Sequence, residues 1–250
     1  KNLRLLMLDF ITRMIPSLET VLVVTPISIP VILTMAYISG YLKMDRVIKT
    51  NYTRKLFHFT IFSTAGCLGL LFGFTGTIVF GSCAGFFILL ILYLGDGNIL
   101  YEGMAREQDA PHRSFYIIVP FLATAVAGVT DNLLFGHVAL VGYLVAGWGD
   151  AAGEPIGVRF GRHKYRVPSR KKVICYRSIE GSLAVFSVST LASYIVLFQA
   201  LGYSPLVSIV GAIAAGLATA FVEAFSPHGV DNFTTQFASC FAAYSVVLFL

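Results

Sequence analysis

Between Gly181 and Leu250 the chain carries only two charged side chains, Glu223 and Asp231. Both stand beside Ser226-Pro227-His228-Gly229, the one Pro-Gly break of that stretch. Carboxylates in or next to a membrane are costly and are functional candidates by default. A second pair, Asp150 and Glu154, lies one turn apart on one face if a helix continues through them. Gly153 and Gly157 occupy a neighbouring stripe, where they let a backbone or a ligand approach closely. Eight basic residues follow between Arg159 and Arg177, Lys164, Lys171 and Lys172 among them. Carboxylates beside clustered Arg, Lys and Gly suit a polyphosphate with a divalent metal. The acids hold Mg²⁺ through oxygen, and the cations neutralise phosphate oxygens. Taken alone, the basic run also suits a topology signal that touches anionic lipid heads. That reading leaves Asp150, Glu154 and Glu180 unexplained.

Two further groups carry chemistry. Arg54, Lys55 and His58 open an apolar run, with Arg54 and His58 a turn apart. Lys55 could simply snorkel to the interface, and His58 could be a neutral packed histidine. The segment 96–113 mixes Asp96, Glu102, Arg106, Glu107, Asp109, His112 and Arg113. Mixed charge in a short loop is usually a solvated connector. Asp231 starts an apolar run, where capping a helix would account for it; capping does not account for Glu223. The four cysteines show no CxxC spacing and read as small hydrophobes.

These side chains need a frame, and composition supplies it. The 250 residues are 56% hydrophobic and 12% charged, with mean hydropathy +0.78. Soluble domains carry about 25% charged residues, so an aqueous globular fold is a poor fit. No charge occurs from Leu56 to Gly95, and only Asp131 from Ser114 to Gly149. The pattern predicts an all-α, polytopic membrane bundle of about eight spans: 18–42, 56–74, 76–95, 114–131, 134–150, 181–201, 205–225 and 233–250. Residues 1–17 read as an interfacial segment, 151–180 as a cytoplasmic loop, and the whole as one domain. The N-terminus shows no cleavable leader pattern. Threading eight spans puts 43–55, 96–113, 151–180 and 226–232 on one side. Those loops hold 15 of the 18 Lys and Arg residues, which marks that side as cytoplasmic. The same threading brings nearly every ionisable residue to one surface. That is the layout of a site fed by a soluble polar substrate and a lipid. A nucleic-acid surface is excluded by the scarcity of soluble chain and of an aromatic stacking platform. A small secondary transporter would place polar groups at mid-span in two related halves; no internal repeat is visible.

On these residues the sequence resembles the polyprenol kinase family, which includes phytol, farnesol and dolichol kinases and CTP-dependent diacylglycerol kinases. The family is distantly related to phosphatidate cytidylyltransferases. Arg54-Lys55-x-x-His58 resembles the family's RKxxH. Gly149-Asp150, the glycines after it, Lys171-Lys172 and Arg177-Ser178-x-Glu180-Gly181 resemble its nucleotide loop. Glu223 with Asp231-Asn232 resembles its E…DN segment. The match spans about residues 54–235. Val230 stands where the family often has Asp, and Phe233-Thr234-Thr235 where it often has Leu and then Pro.

The resemblance implies transfer of a γ-phosphoryl group, usually from CTP, to a lipid alcohol. It implies Asp150 and Asp231 as catalytic, with Glu223 beside them for Mg²⁺ or the acceptor hydroxyl. Arg54 and His58 would assist at the transferred group. Lys55, Gly153, Gly157, Lys164, Lys171, Lys172, Arg177, Ser178, Glu180 and Asn232 would bind the nucleotide. A CDP-lipid synthase is the nearest alternative. The partners expected are the bilayer, a lipid alcohol and a nucleoside triphosphate, with a homodimer left open.

Overall fold

The computed structural model describes residues 12, 14–168, 175–227 and 229–250. Lys171 and Lys172 lie outside the described residues. Helices dominate. They are α1 (Leu18–Met44), α2 (Thr50–Leu94), the short α3 (Ile99–Met104), α4 (Phe115–Phe135) and α5 (Ala139–Leu144). Then come α6 (Asp150–Phe160), α7 (Ile179–Tyr194), α8 (Pro205–Phe225) and α9 (Asp231–Phe249). Five stretches are long and apolar enough to cross a membrane: 18–44, 50–94, 115–160, 179–200 and 205–225.

Two of the five contain a break. Gly73 sits at φ 64° inside α2, and Gly136 at φ 56° ends α4. Left-handed φ is open to glycine at little steric cost, so these residues turn the chain where a β-carbon would resist. Below Gly73 the two halves of α2 pack face to face; a β-carbon on Gly69 would lie 3.0 Å from Thr77. α1 contains Pro26 and Pro30 and still runs continuously, with Ser28 Oγ donating to the Val24 carbonyl. Ser17 caps its start by accepting from Thr20 N–H.

The chain from 139 to 160 is one rod with a fault. A wide π-type turn, Val145–Gly149, joins α5 to α6 directly before Asp150. Such turns shift the register of the downstream helix and are frequent at functional sites. On the rod's packed face, Gly149, Gly153 and Gly157 recur every four residues and meet α7. β-carbons placed there would fall 2.3 Å from Ser189 Oγ, 2.4 Å from Val185 Cγ2 and 3.0 Å from Ser178 Oγ. The expectation that glycine permits close approach here holds, and the partners are side chains of α7 and of its cap Ser178.

The 151–180 segment corrects the all-α expectation. Residues up to Phe160 extend the helix, and Lys164–Val167 then pairs antiparallel with Cys175–Ser178, Val167 facing Cys175 and Lys164 facing Ser178. Each strand is four residues long and rich in charge, so its alternation drowned in what reads as a basic loop. Ser178 closes the hairpin and caps α7, accepting from Gly181 N–H at 3.1 Å.

Candidate active site

The charged residues gather where α2, α6, the hairpin and the α8–α9 corner meet. Lys55, on the first turns of α2, is buried and reaches two acids of α6. Its Nζ lies 2.5 Å from Asp150 Oδ2 and 3.1 Å from Glu154 Oε2. His58 Nε2 is 3.3 Å from the same Asp150 oxygen. The helical period does this work: Asp150 and Glu154, four apart, share one face, as do Arg54 and His58. Asn51 donates to Glu154 as well.

A second knot faces the first. Arg177 of β2 donates from Nη2 to Asp231 Oδ2 at 2.8 Å, and its Nε lies 3.4 Å from Glu223 Oε1. Burial works against the Arg177 charge, yet Glu223 and Asp231 raise its pKa above the ordinary value. Asp231 opens α9 without capping it: Val230 stands at the cap position, with no side-chain cap bond. The carboxylate is turned toward Arg177 instead. Asn232 donates to Thr124 Oγ1 at 2.9 Å and to the Pro120 carbonyl at 3.3 Å, tying α9 to α4.

The two knots line one polar cavity of about 300 Å³. Its wall includes Arg54, Lys55, Asp150, Gly153, Gly157 and Lys164, and also Arg177, Ser178, Glu223, Asp231 and Asn232. Residues from both halves of the chain therefore converge. Asp150, Glu223, Asp231 and Asn232 also border one small void beside it. Glu180 lies elsewhere, 2.8 Å from His163 Nδ1 at the mouth of the hairpin, and does not line the cavity.

Beneath lies an apolar cavity of about 440 Å³, walled by α2 and α4. Arg54, Pro120 and Asn232 line both cavities, so the two adjoin at those residues. His58 lines the apolar one.

Arg106 and Gln108 of the 96–113 segment, and Asn51, line the polar cavity without having stood out in the sequence. Arg106 is buried, 3.0 Å from Asp109 Oδ2 and 3.4 Å from Glu154 Oε1. Burial opposes its charge, but Glu154 and Asp109 outweigh that and raise its pKa. The available signal was the Arg106–Asp109 spacing of three, easily lost among exposed neighbours.

Among the described residues, no group of three or more His, Cys, Asp or Glu is arranged to hold a metal unaided. Glu223 Oε2 is nevertheless buried without a hydrogen-bond partner, beside the small void that Asp150 and Asp231 also border. Mg²⁺ commonly takes one or two carboxylates and completes its shell with water and substrate phosphates. The donor set fits that mode.

Fold and site together define a class: a helical membrane protein whose charge-lined polar cavity adjoins an apolar one inside the bundle. Over 107 residues the chain is 35% identical to a phytol kinase from Synechocystis sp., the match covering 43% of this chain and 43% of that protein. The chain thus spans under half the length of that curated relative in the match. No family model matches the chain, and no solved structure does. The similarity to a phytol kinase agrees with the resemblance carried by the motifs.

Proposed function

We propose that this protein is a lipid alcohol kinase, with CTP as phosphoryl donor and a polyprenol-type alcohol as acceptor. The observation that carries the reading is the adjoining pair of cavities, polar over apolar, sharing Arg54, Pro120 and Asn232. A triphosphate suits the polar side, where Lys55, Lys164, Arg177 and Arg106 offer positive charge. A lipid tail suits the apolar side. The acceptor hydroxyl then falls at the junction, within reach of Arg54 and the His58–Asp150 pair.

The reaction asks little covalent help of the protein. The acceptor oxygen attacks the γ-phosphorus and a new O–P bond forms. The bond to the β–γ bridging oxygen breaks, and the nucleoside diphosphate leaves with the electron pair. The hydroxyl proton passes to Asp150, which Lys55 holds in place. Arg54 and Arg177 neutralise phosphate oxygens as charge shifts. Asp231 and Glu223, which border the small void beside Asp150, are the residues that would hold Mg²⁺. When bound, the ion screens phosphate charge and polarises the γ-phosphoryl group.

In this reading the chain crosses eight times, with α2 counted as two, 115–160 divided at Gly136, and α9 added to the remaining stretches, and the site belongs to the cytoplasmic face of a single catalytic domain. The basic loops on that side support the assignment. The deciding assay gives purified protein Mg²⁺, each labelled triphosphate in turn, and prenols or diacylglycerol. Release of CDP with a lipid phosphate is expected from CTP. Release of pyrophosphate would make the protein a CDP-lipid synthase, and transfer from no triphosphate would end the reading.

A further inference from the structure

The apolar cavity has a wall of small residues whose placement matters. Thr77, Gly81 and Gly85 line it from the second half of α2, four residues apart on one face. The opposite half of α2 contributes Ile61 and Ala65. Thr77 packs at the level of Gly69, since a β-carbon on Gly69 would lie 3.0 Å from Thr77 Cγ2. Counting turns upward in the antiparallel pair places Gly81 level with Ala65 and Gly85 level with Ile61. Gly85 also faces α4, 3.0 Å from Phe121 Cζ if given a β-carbon. Gly81 differs from both neighbours. A β-carbon there meets no atom within 4 Å, so a side chain would grow into open space. The backbone at Gly81 is helical, so the glycine is not required by φ.

Depth follows from helix geometry. Ala65 is eleven residues beyond Arg54, about 16 Å at roughly 1.5 Å per residue. Below that level the cavity continues past Phe74, Thr77, Gly128 and Tyr143. Tyr143 lines that part, its hydroxyl held by Asn132 Nδ2 at 3.0 Å.

We infer that Gly81 sets the length of acceptor tail this site takes, by leaving a passage between the upper part of the cavity and its floor. A short tail ends above Gly81 and never meets it. A long tail must pass it to bury its far end. The occupant is the apolar tail of the lipid alcohol, because the cavity adjoins the polar site at Arg54, Pro120 and Asn232. The inference rests on the lipid kinase reading for that choice.

The test compares ten-, fifteen- and twenty-carbon isoprenoid alcohols on Gly81→Leu, Gly81→Ala and Phe86→Leu. Leu and Ala are better helix formers than Gly, so neither should weaken α2. Phe86 is 74% exposed on the outer face and serves as the control. Two readouts run in parallel: KM in the kinase assay, and nucleotide-free retention of each labelled alcohol by the purified protein. Losing burial of only two methylenes costs about tenfold. Gly81→Leu should therefore weaken the twenty-carbon alcohol at least about tenfold and change the ten-carbon one less than about twofold. Gly81→Ala should fall between, and Phe86→Leu should match the parent. Equal losses for all lengths, or no loss for any, would overturn the gauge. Retention that shifts as expected in a protein that phosphorylates nothing would sustain the gauge and remove the kinase reading.

Discussion

Asp150 shares its main basic partner with a second acid. Lys55 bridges Asp150 and Glu154 at 2.5 and 3.1 Å, so Asp150→Asn leaves Lys55 still paired. The substitution should therefore spare the fold. If Asp150 orients the hydroxyl and takes its proton, kcat should drop roughly 10²–10³, with the thermal midpoint in detergent near that of the parent. Near-native turnover would remove Asp150 from the mechanism. Arg177 is the opposite case. It is the cation between Glu223 and Asp231, and breaking such a buried arrangement from one side costs about 3–5 kcal/mol. Arg177→Gln should lower the midpoint as well as activity, and adding Glu223→Gln should restore part of the stability. A double-mutant cycle that shows simple additivity would mean Arg177 and Glu223 are not coupled. At this scale the sequence was informative about type and vague about pairing. Two acids that are the only charged residues in the last 70 announce themselves, and the RKxxH spacing places Lys55 and His58 on adjoining faces. That Arg177, 54 positions earlier, is what Asp231 meets cannot be read from either neighbourhood, and Arg106 is hidden by the exposed charges around it.

Among the elements, α3 is the least self-sufficient. Six residues cannot hold a helix alone in water, and Ile99–Met104 is kept by outside partners. Lys43 Nζ donates to Glu102 Oε2 and to the carbonyls of Glu102 and Ala105; Arg113 donates to both Glu102 oxygens, at 3.0 and 2.6 Å. Burial alone would raise the Glu102 carboxyl, but the bonds from Arg113, Lys43 and Gly97 N–H outweigh it and hold the pKa down to about 2. The folded value lies below the ordinary 4.5. The stabilisation is thus complete above that ordinary value and is lost as pH falls from there toward about 2. Amide exchange across 96–113 should rise over that window in the parent, and Glu102→Gln should already show the faster exchange at neutral pH and a flatter pH response. A parent profile with no change over that window would contradict the role of the cluster. The element scale also explains what the sequence did not disclose. Apolar runs of helix length were plain, and Gly73 and Gly136 mark their breaks. The hairpin at 164–178 was not, because two four-residue strands full of Arg, Lys and Tyr lack the apolar alternation that a buried sheet would print. Nor does any local pattern foretell the π-type turn that delivers Asp150 to Lys55.

At the scale of the molecule, the claim to test is that one end of the bundle carries the chemistry and the other does not. Charge bias argues for it: the loops next to the polar cavity hold nearly all the Lys and Arg, whereas Gly136–Val138 and the turn after Ala200 hold none. The arrangement depends on an alternation that each break must respect. If Gly73 did not reverse α2, every later segment would exchange ends, and Asp150 could not meet Lys55. Impermeant maleimide labelling reads this directly. Cys67, Cys83, Cys175 and Cys240 are first replaced by Ala. Single cysteines are then introduced by Val47→Cys, Arg162→Cys, His137→Cys and Gln199→Cys, all at exposed positions. Val47→Cys and Arg162→Cys should react only when the cytoplasmic face is opened, and His137→Cys and Gln199→Cys in intact cells. Reaction of Val47→Cys and His137→Cys from the same side would mean an odd number of crossings has been misjudged between them. The basic loops would then no longer share one aqueous surface, and a soluble triphosphate could not serve a site assembled from both.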